Sequence, residues 1–149
     1  MEVRHVSNNK KRYLDLLLVG DEEEKMIDRY LDRGELFALY DNEEVVAVCV
    51  VTNEGSNIYE LKNVAVEPKL QKRGYGTALV KFVLDWYKDR AVRMIVGTGD
   101  SDKTLAFYKS LGFTPYRKVK NFFVDNYAKP IYEGTRQLVD MIYLKMELS

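Results

Sequence analysis

The residues best suited to chemistry lie in Asn63-Val64-Ala65-Val66-Glu67-Pro68-Lys69-Leu70-Gln71-Lys72-Arg73-Gly74-Tyr75-Gly76-Thr77-Ala78-Leu79. An apolar run passes through a proline turn into a basic, glycine-punctuated loop and then into an amphipathic helical pattern. Glycines let the backbone turn so that several N–H groups point the same way, and a helix N-terminus adds partial positive charge. Lys69, Lys72 and Arg73 place full charges beside those donors. The pattern suits a ligand carrying a pyrophosphate; an ordinary strand-to-helix turn needs neither two spaced glycines nor clustered bases. A Walker loop requires G-x-x-x-x-G-K-[ST], and no Lys-Ser or Lys-Thr follows a glycine here. A dinucleotide fingerprint requires a third glycine where this chain has Leu79.

A second segment, Ser101-Asp102-Lys103-Thr104-Leu105-Ala106-Phe107-Tyr108-Lys109-Ser110-Leu111-Gly112-Phe113, reads as a capped helix closed by glycine and followed by a strand. Ser101 or Asp100 can accept the first free N–H groups, and Gly112 suits a left-handed C-terminal cap. The strand Val64-Ala65-Val66 followed by Gln71-x-x-Gly74-x-Gly76 resembles the acetyl-CoA-binding motif of the GNAT N-acetyltransferase superfamily. Phe107-Tyr108-Lys109-Ser110-Leu111-Gly112-Phe113 is similar to that family's closing helix, at about the separation the family uses. The resemblance covers essentially the whole chain.

Acetyl transfer to an amine needs a deprotonated amine, a stabilised thioester oxygen and a proton donor for the departing thiolate. The resemblance implies a place for each. Val64, Ala65 and Val66 would end the first of two splayed strands, whose backbone pairs with the pantetheine arm. Backbone N–H groups near Ala65 and Val66 would hold the thioester oxygen. The pyrophosphate would rest on Gln71, Lys72, Arg73, Gly74, Tyr75, Gly76 and Thr77. Tyr108 matches the general-acid position, and a phenol with an ordinary pKa near ~10 is protonated at neutral pH. An aromatic on an amphipathic helix is equally what a core position looks like, and Phe107 beside it reads as core. Glu60 matches a glutamate that some family members use as general base; alternation puts Glu60, Lys62, Val64 and Val66 on one face, with Leu61, Asn63 and Ala65 on the other. The alternative for Glu60 is an exposed strand side chain. Ser101 stands where many members carry an Asn that contacts pantetheine; serine could contact through water or cap the helix.

The acceptor pocket of this family is shaped by the segment between the first two helices and the loop between the last two strands. Here these are Val19 to Glu24 and Asp125 to Gly134. The acids could attract a cationic amine, although acids at a helix start also complement its dipole. Tyr127 and Tyr132 could pack on the acceptor's carbon skeleton. No cluster with metal-ligand spacing is visible, so no metal is expected. Cys49 has no adjacent base and a strand context that suggests burial, which disfavours an acyl-carrying thiol. His5 is distant from both motifs and reads as structural or exposed.

The elements that must position these residues follow from periodicity. Glu2 to Val6 is a strand. Asn9 to Val19 is a helix, and Asp21 can cap a second through roughly Asp32, stopped by Gly34. Glu35 to Tyr40 and Val45 to Thr52 are strands joined by a hairpin at Asp41 to Glu44. Ile58 to Val66 is the strand entering the basic loop. Leu79, Val80, Phe82, Val83, Trp86 and Tyr87 are spaced for one buried side of the following helix. Ala91 to Thr98 is a strand, then comes the Tyr108 helix, and Phe113 to Val124 and Gln137 to Leu148 are strand-like runs around an irregular stretch, Asp125 to Arg136. The expected fold is α/β, the GNAT acyl-CoA N-acyltransferase fold, with a central mixed, mostly antiparallel sheet of six to seven strands flanked by about four helices.

The 149 residues amount to one domain, 1–149, without repeat or linker. Basic and acidic residues balance at 23 each, which argues against a nucleic-acid-coating protein. There is no secretory apolar region or run long enough to span a bilayer, so no membrane partner is expected and the cytoplasm is the default location. Apolar residues on the final strand could support a homodimer, and dimers are common in the family. The leading expectation is an acetyl-CoA-dependent N-acetyltransferase acting on a primary amine. A non-catalytic acyl-CoA-binding or sensor domain and a pure interaction module are the alternatives.

Overall fold

A computed structural model describes residues 1–148. Strand β1 (Glu2–Val6) leads through a 3-10 turn at Lys10–Tyr13 into helices α1 (Leu14–Gly20) and α2 (Glu24–Asp28). Strands β2 (Glu35–Asp41), β3 (Glu44–Asn53) and β4 (Ile58–Val66) follow, then helix α3 (Tyr75–Tyr87), β5 (Arg93–Gly99), α4 (Asp102–Ser110) and β6 (Thr114–Val119). The chain continues through α5 (Phe122–Asn126), the two-residue strands β7 (Tyr132–Glu133) and β8 (Arg136–Gln137), and β9 (Met141–Glu147). The main sheet has seven strands in the order β1-β2-β3-β4-β5-β9-β6, antiparallel throughout except for the parallel pair β4–β5. That is the mixed, mostly antiparallel α/β sheet the sequence predicts. Pro115 lies in β6 at the sheet's edge, where a missing N–H is tolerated. No helix among the described residues is long and apolar enough to cross a membrane.

The sheet is buried on both faces. Leu79, Val80, Val83 and Tyr87 of α3 pack with Phe37, Cys49, Leu61, Tyr108 and Leu144 on one side. Leu16, Leu17, Ile27 and Leu31 pack with Val48, Val50 and Ala65 on the other. The β2–β3 hairpin turns through Asn42 and Glu43 at φ 52° and 67°, the left-handed pair that a two-residue turn requires.

Four details differ from the sequence reading. The buried stripe of α3 is narrower: Phe82 and Trp86 are 38% and 41% exposed, and Trp86 stacks on His5 at 5.4 Å. The second helix begins at Glu24 rather than at a cap on Asp21, whose side chain bonds to two tyrosines instead. The run Phe113–Val124 is not one strand: β6 ends at Val119, Asn121 takes φ 59°, and Phe122 and Phe123 enter a helix packed against Ile131, Leu138 and Met141. Tertiary packing there overrides the strand preference of Phe-Phe-Val. Finally, β4 does not alternate evenly. A register shift opposite Val50 and Val51 leaves Lys62 as an extra residue, so Leu61 joins Val64 and Val66 in the α3-side core while Ala65 faces α1.

Candidate active site

Strands β4 and β5 pair only from Ile58↔Arg93 to Leu61↔Val96. Beyond that point Asn63–Val66 and Gly97–Gly99 separate, leaving a slot with backbone N–H and C=O groups along β4 open to an extended ligand. The bulge at Lys62 begins the divergence. After Val66 the chain makes one 3-10 turn at Pro68–Leu70, passes Lys72 at φ 66°, and reaches Gly74, the N-cap of α3, at φ 86°. The first helical bond of α3 is Ala78 N–H to Gly74 C=O at 3.0 Å, so the N–H groups of Tyr75, Gly76 and Thr77 precede it and remain available to an anion. Gln71 Nε2 donates to the Val66 carbonyl at 3.4 Å, tying the loop back to the strand. A Cβ at Gly76 would stand 3.4 Å from Phe107 Cζ and Val66 Cγ2, so glycine keeps the floor of the cradle free. The Tyr75 hydroxyl donates to Asp41, anchoring the start of the helix to β2.

Slot and cradle open into a cavity of about 850 Å³. Val64–Val66, Gln71, Lys72 and Gly74–Thr77 line it. Arg73 is exposed and Ser101 buried, and both lie outside the lining. Ser101 is the N-cap residue of α4 but makes no side-chain cap bond, and Asp100 pairs with Arg136 at 2.9 Å instead of capping. Phe107 packs half-buried against the main core and also lines the cavity beside Gly76.

Glu60 and Tyr108 reach the same cavity from opposite elements. Tyr108 is 7% exposed, its ring set edge-on to Phe107 and Phe113. Burial pushes its phenol well above the ordinary range, so it holds its proton at neutral pH. Glu60 is also 7% exposed, which removes the exposed-side-chain alternative. Its carboxylate lies 3.2 Å from Lys62 Nζ, yet burial outweighs that cation and raises its pKa above the usual carboxylate value. Cys49 is fully buried, and burial drives its thiol pKa upward, away from thiolate chemistry.

The other end of the cavity is walled by the α1–α2 segment and the stretch after α5, with Val19, Gly20, Asp21 and Glu22 facing Tyr127 and Tyr132. The acidic run divides: Asp21 lines the cavity, Glu23 accepts the Ala128 N–H at 2.9 Å, and Glu24 pairs with Lys11. Tyr127 donates to Asp21 Oδ1 at 2.7 Å, whereas Tyr132 lies at the rim, 55% exposed. A buried polar network runs inward from here, with Tyr30 donating to Asp21 Oδ2 at 3.1 Å and Asn63 Nδ2 donating to Tyr30 Oη at 3.1 Å and to the Leu17 carbonyl at 2.9 Å. Asp21, Tyr30 and Asn63 have no sequence spacing in common, and no motif links the three; only the packing of α1 and α2 on β4 brings them together. Tyr30→Phe should lower stability by about 1–2 kcal/mol, because Asp21 loses a donor and Asn63 an acceptor in a buried place. A urea titration with unchanged slope would check this, and an unchanged midpoint would show the network to be energetically idle.

Residues 8–113 match the Acetyltransferase (GNAT) family. An uncharacterized N-acetyltransferase of Bacillus subtilis (strain 168) is 33% identical over 136 residues, covering 90% of this chain and 88% of that one. A GNAT family acetyltransferase from Elizabethkingia anophelis, solved with acetyl-CoA bound, superposes with a TM-score of 0.93 at 35% identity over 98% of this chain and 97% of that chain. A Bacillus subtilis acetyltransferase in complex with CoA gives a TM-score of 0.90 at 30% identity over 98% and 97% of the two chains. The chain thus belongs to the GNAT family, as an acetyltransferase that uses acetyl-CoA.

Proposed function

We propose that this enzyme is an N-acetyltransferase that moves the acetyl group directly from acetyl-CoA to a primary amine. The carrying observation is the placement of Glu60 and Tyr108, both buried, on the walls of one cavity that also contains the open edge of β4. The acceptor arrives as an ammonium ion and must lose a proton before nitrogen has a lone pair to use. Glu60 accepts that proton directly or through water, and its raised pKa brings it nearer to that of the amine. Nitrogen then attacks the thioester carbon, and backbone N–H groups near Ala65 and Val66 hold the developing oxyanion. The carbon–sulfur bond breaks, sulfur takes the Tyr108 proton, and the products are the amide and CoA thiol. The attacking nitrogen sheds its second proton as the amide forms, returning it through solvent to Tyr108, and Glu60 releases the first. Each turnover thus converts one ammonium and one thioester into amide, CoA thiol and one free proton. In this reading Val64, Gln71, Lys72 and Gly74 to Thr77 hold the CoA arm and pyrophosphate, Arg73 adds charge from outside the cavity lining, and Tyr127 and Tyr132 contact the acceptor.

The test is Glu60→Gln. A carboxylate base works only when ionised, so kcat should fall as pH drops through the Glu60 pKa, with a midpoint above the ordinary value of ~4.3. The Gln variant should lose that acid limb and on the order of 10² in kcat. A full pH series at saturating amine decides it: an acid limb identical to that of the wild type removes Glu60 from the mechanism.

A further inference from the structure

Asp21 is a half-buried anion without a counter-ion. Its neighbours are the Tyr30 and Tyr127 hydroxyls and Glu23, through both its backbone and its charge; burial raises the Asp21 pKa, the Glu23 charge adds to the rise, and no cation offsets it. The cations near this end of the cavity have other partners: Lys62 pairs with Glu60, Arg33 with Glu54 at 3.0 Å, and Arg29 reaches Asn126. Asp21 is also held in place. It follows Gly20, whose backbone is packed so closely on β4 that a Cβ there would meet Asn63 Oδ1 at 2.2 Å and the Ala65 Cβ at 3.3 Å. The carboxylate therefore stands beside the open edge of β4, in a network that ends at the one buried side-chain atom without a partner among the described residues, Asn63 Oδ1.

The wall next to Asp21 is apolar. Phe123, Ile131 and Leu138 form a separate cluster, each 8% exposed, and all three line the cavity. Gly99 lets Leu138 lie across β5, since a Cβ there would be 2.6 Å from Leu138 Cδ1. Tyr127 joins the two features, with its ring stacked on Phe123 at 5.5 Å and its hydroxyl on Asp21. A ligand matching both carries one cation and an uncharged body, because a second charge placed against Phe123, Ile131 and Leu138 would be desolvated without a partner.

We propose that the acceptor is a small primary monoamine on an apolar body, aryl or branched alkyl, whose ammonium binds Asp21 and whose carbon skeleton lies on the Phe123–Ile131–Leu138 wall. This rests on reading the cavity as an amine-acetylating site and names the class of amine. Asp21 holds the arriving cation, and Glu60 is where its proton goes.

The experiment measures CoA thiol release by the full chain with acetyl-CoA and four amines. The apolar 2-phenylethylamine and isoamylamine should exceed putrescine and ethanolamine by at least tenfold in kcat/KM. Asp21→Asn, which keeps an oxygen for Tyr127, should raise KM for 2-phenylethylamine at least tenfold and leave acetyl-CoA affinity unchanged. Wild type saturated with CoA should bind 2-phenylethylamine at least tenfold tighter than 2-phenylethanol, a comparison that decides the matter even if the variant fails to fold. Preference for putrescine or ethanolamine, an unchanged KM in Asp21→Asn, or equal binding of amine and alcohol overturns the assignment while leaving amine acetylation standing. Thiol release with none of the amines, CoA still binding, overturns both.

Discussion

Replacing Tyr108 with Phe should lower kcat by at least about 10²-fold while leaving thermal stability and acetyl-CoA affinity close to wild type. The expected separation comes from where the hydroxyl sits. The Tyr108 ring is part of the main core, edge-on to Phe107 and Phe113, and Phe keeps all of that packing. The rise in the phenol's pKa comes from burial and the Cys49 neighbour, with no hydrogen-bond contribution from any side chain, so removing the oxygen strands no protein partner. What the variant loses is the hydroxyl proton of a residue that lines the cavity. In the proposed mechanism a CoA thiolate must then depart without a proton donor, and only the chemical step slows. Steady-state thiol release at saturating substrates, with calorimetric acetyl-CoA binding on the same protein, checks both halves. A kcat within threefold of wild type would remove Tyr108 as the acid, and a fall in affinity equal to the fall in kcat would make it a binding residue.

Local signals carried much of this fold. The hairpin at Asp41 to Glu44, the start of α3 after Gly74 and the close of α4 at Gly112 follow from residues whose backbone conformation is decided within a few positions; Gly74 and Gly112 take φ 86° and 106°. The basic, glycine-punctuated loop was readable for the same reason, being one continuous segment. Features made by distant partners were not. The bulge at Lys62 exists because β3 and β4 mismatch by one residue, and it moves Leu61 to the Val64 face, leaving Glu60 opposite the side that even alternation gives it. Helix α5 forms where Phe123 meets Ile131 and Leu138, contacts that lie beyond any local window. Asp21 and Tyr127 are 106 residues apart in sequence and 2.7 Å apart in space. The acidic run looked like a helix start, and Glu24 does occupy the first turn of α2, but the residues that reach the cavity are Asp21 and Glu22, which precede the helix cap.

The double substitution Gly74→Val and Gly76→Val should weaken acetyl-CoA binding at least about 100-fold, equivalent to about 2.7 kcal/mol, in a protein that still folds. The two glycines act differently. Gly74 has open space around it, so valine there collides with nothing; the penalty is conformational, because a β-branched residue resists φ 86° and would pull the N-cap out of line. Gly76 has an ordinary φ, but a Cβ there would already touch Phe107 and Val66, so the further methyls of valine must crowd the cavity-lining cradle. Together they misdirect the N–H groups of Tyr75, Gly76 and Thr77. Hydrogen bonds to a charged group are worth about 1.5–3 kcal/mol each, so losing even two exceeds the predicted threshold. Gly55 supplies the control: it also has a positive φ of 89° with open space around it, but it lies in the β3–β4 turn, outside the cavity lining. Gly55→Val should carry a similar folding penalty and leave acetyl-CoA affinity intact. Calorimetric titration of both variants, with thermal midpoints recorded beside them, separates the cases. Retained affinity in the doubly substituted protein would place the pyrophosphate elsewhere, whereas a matching loss in Gly55→Val would trace the effect to global destabilisation.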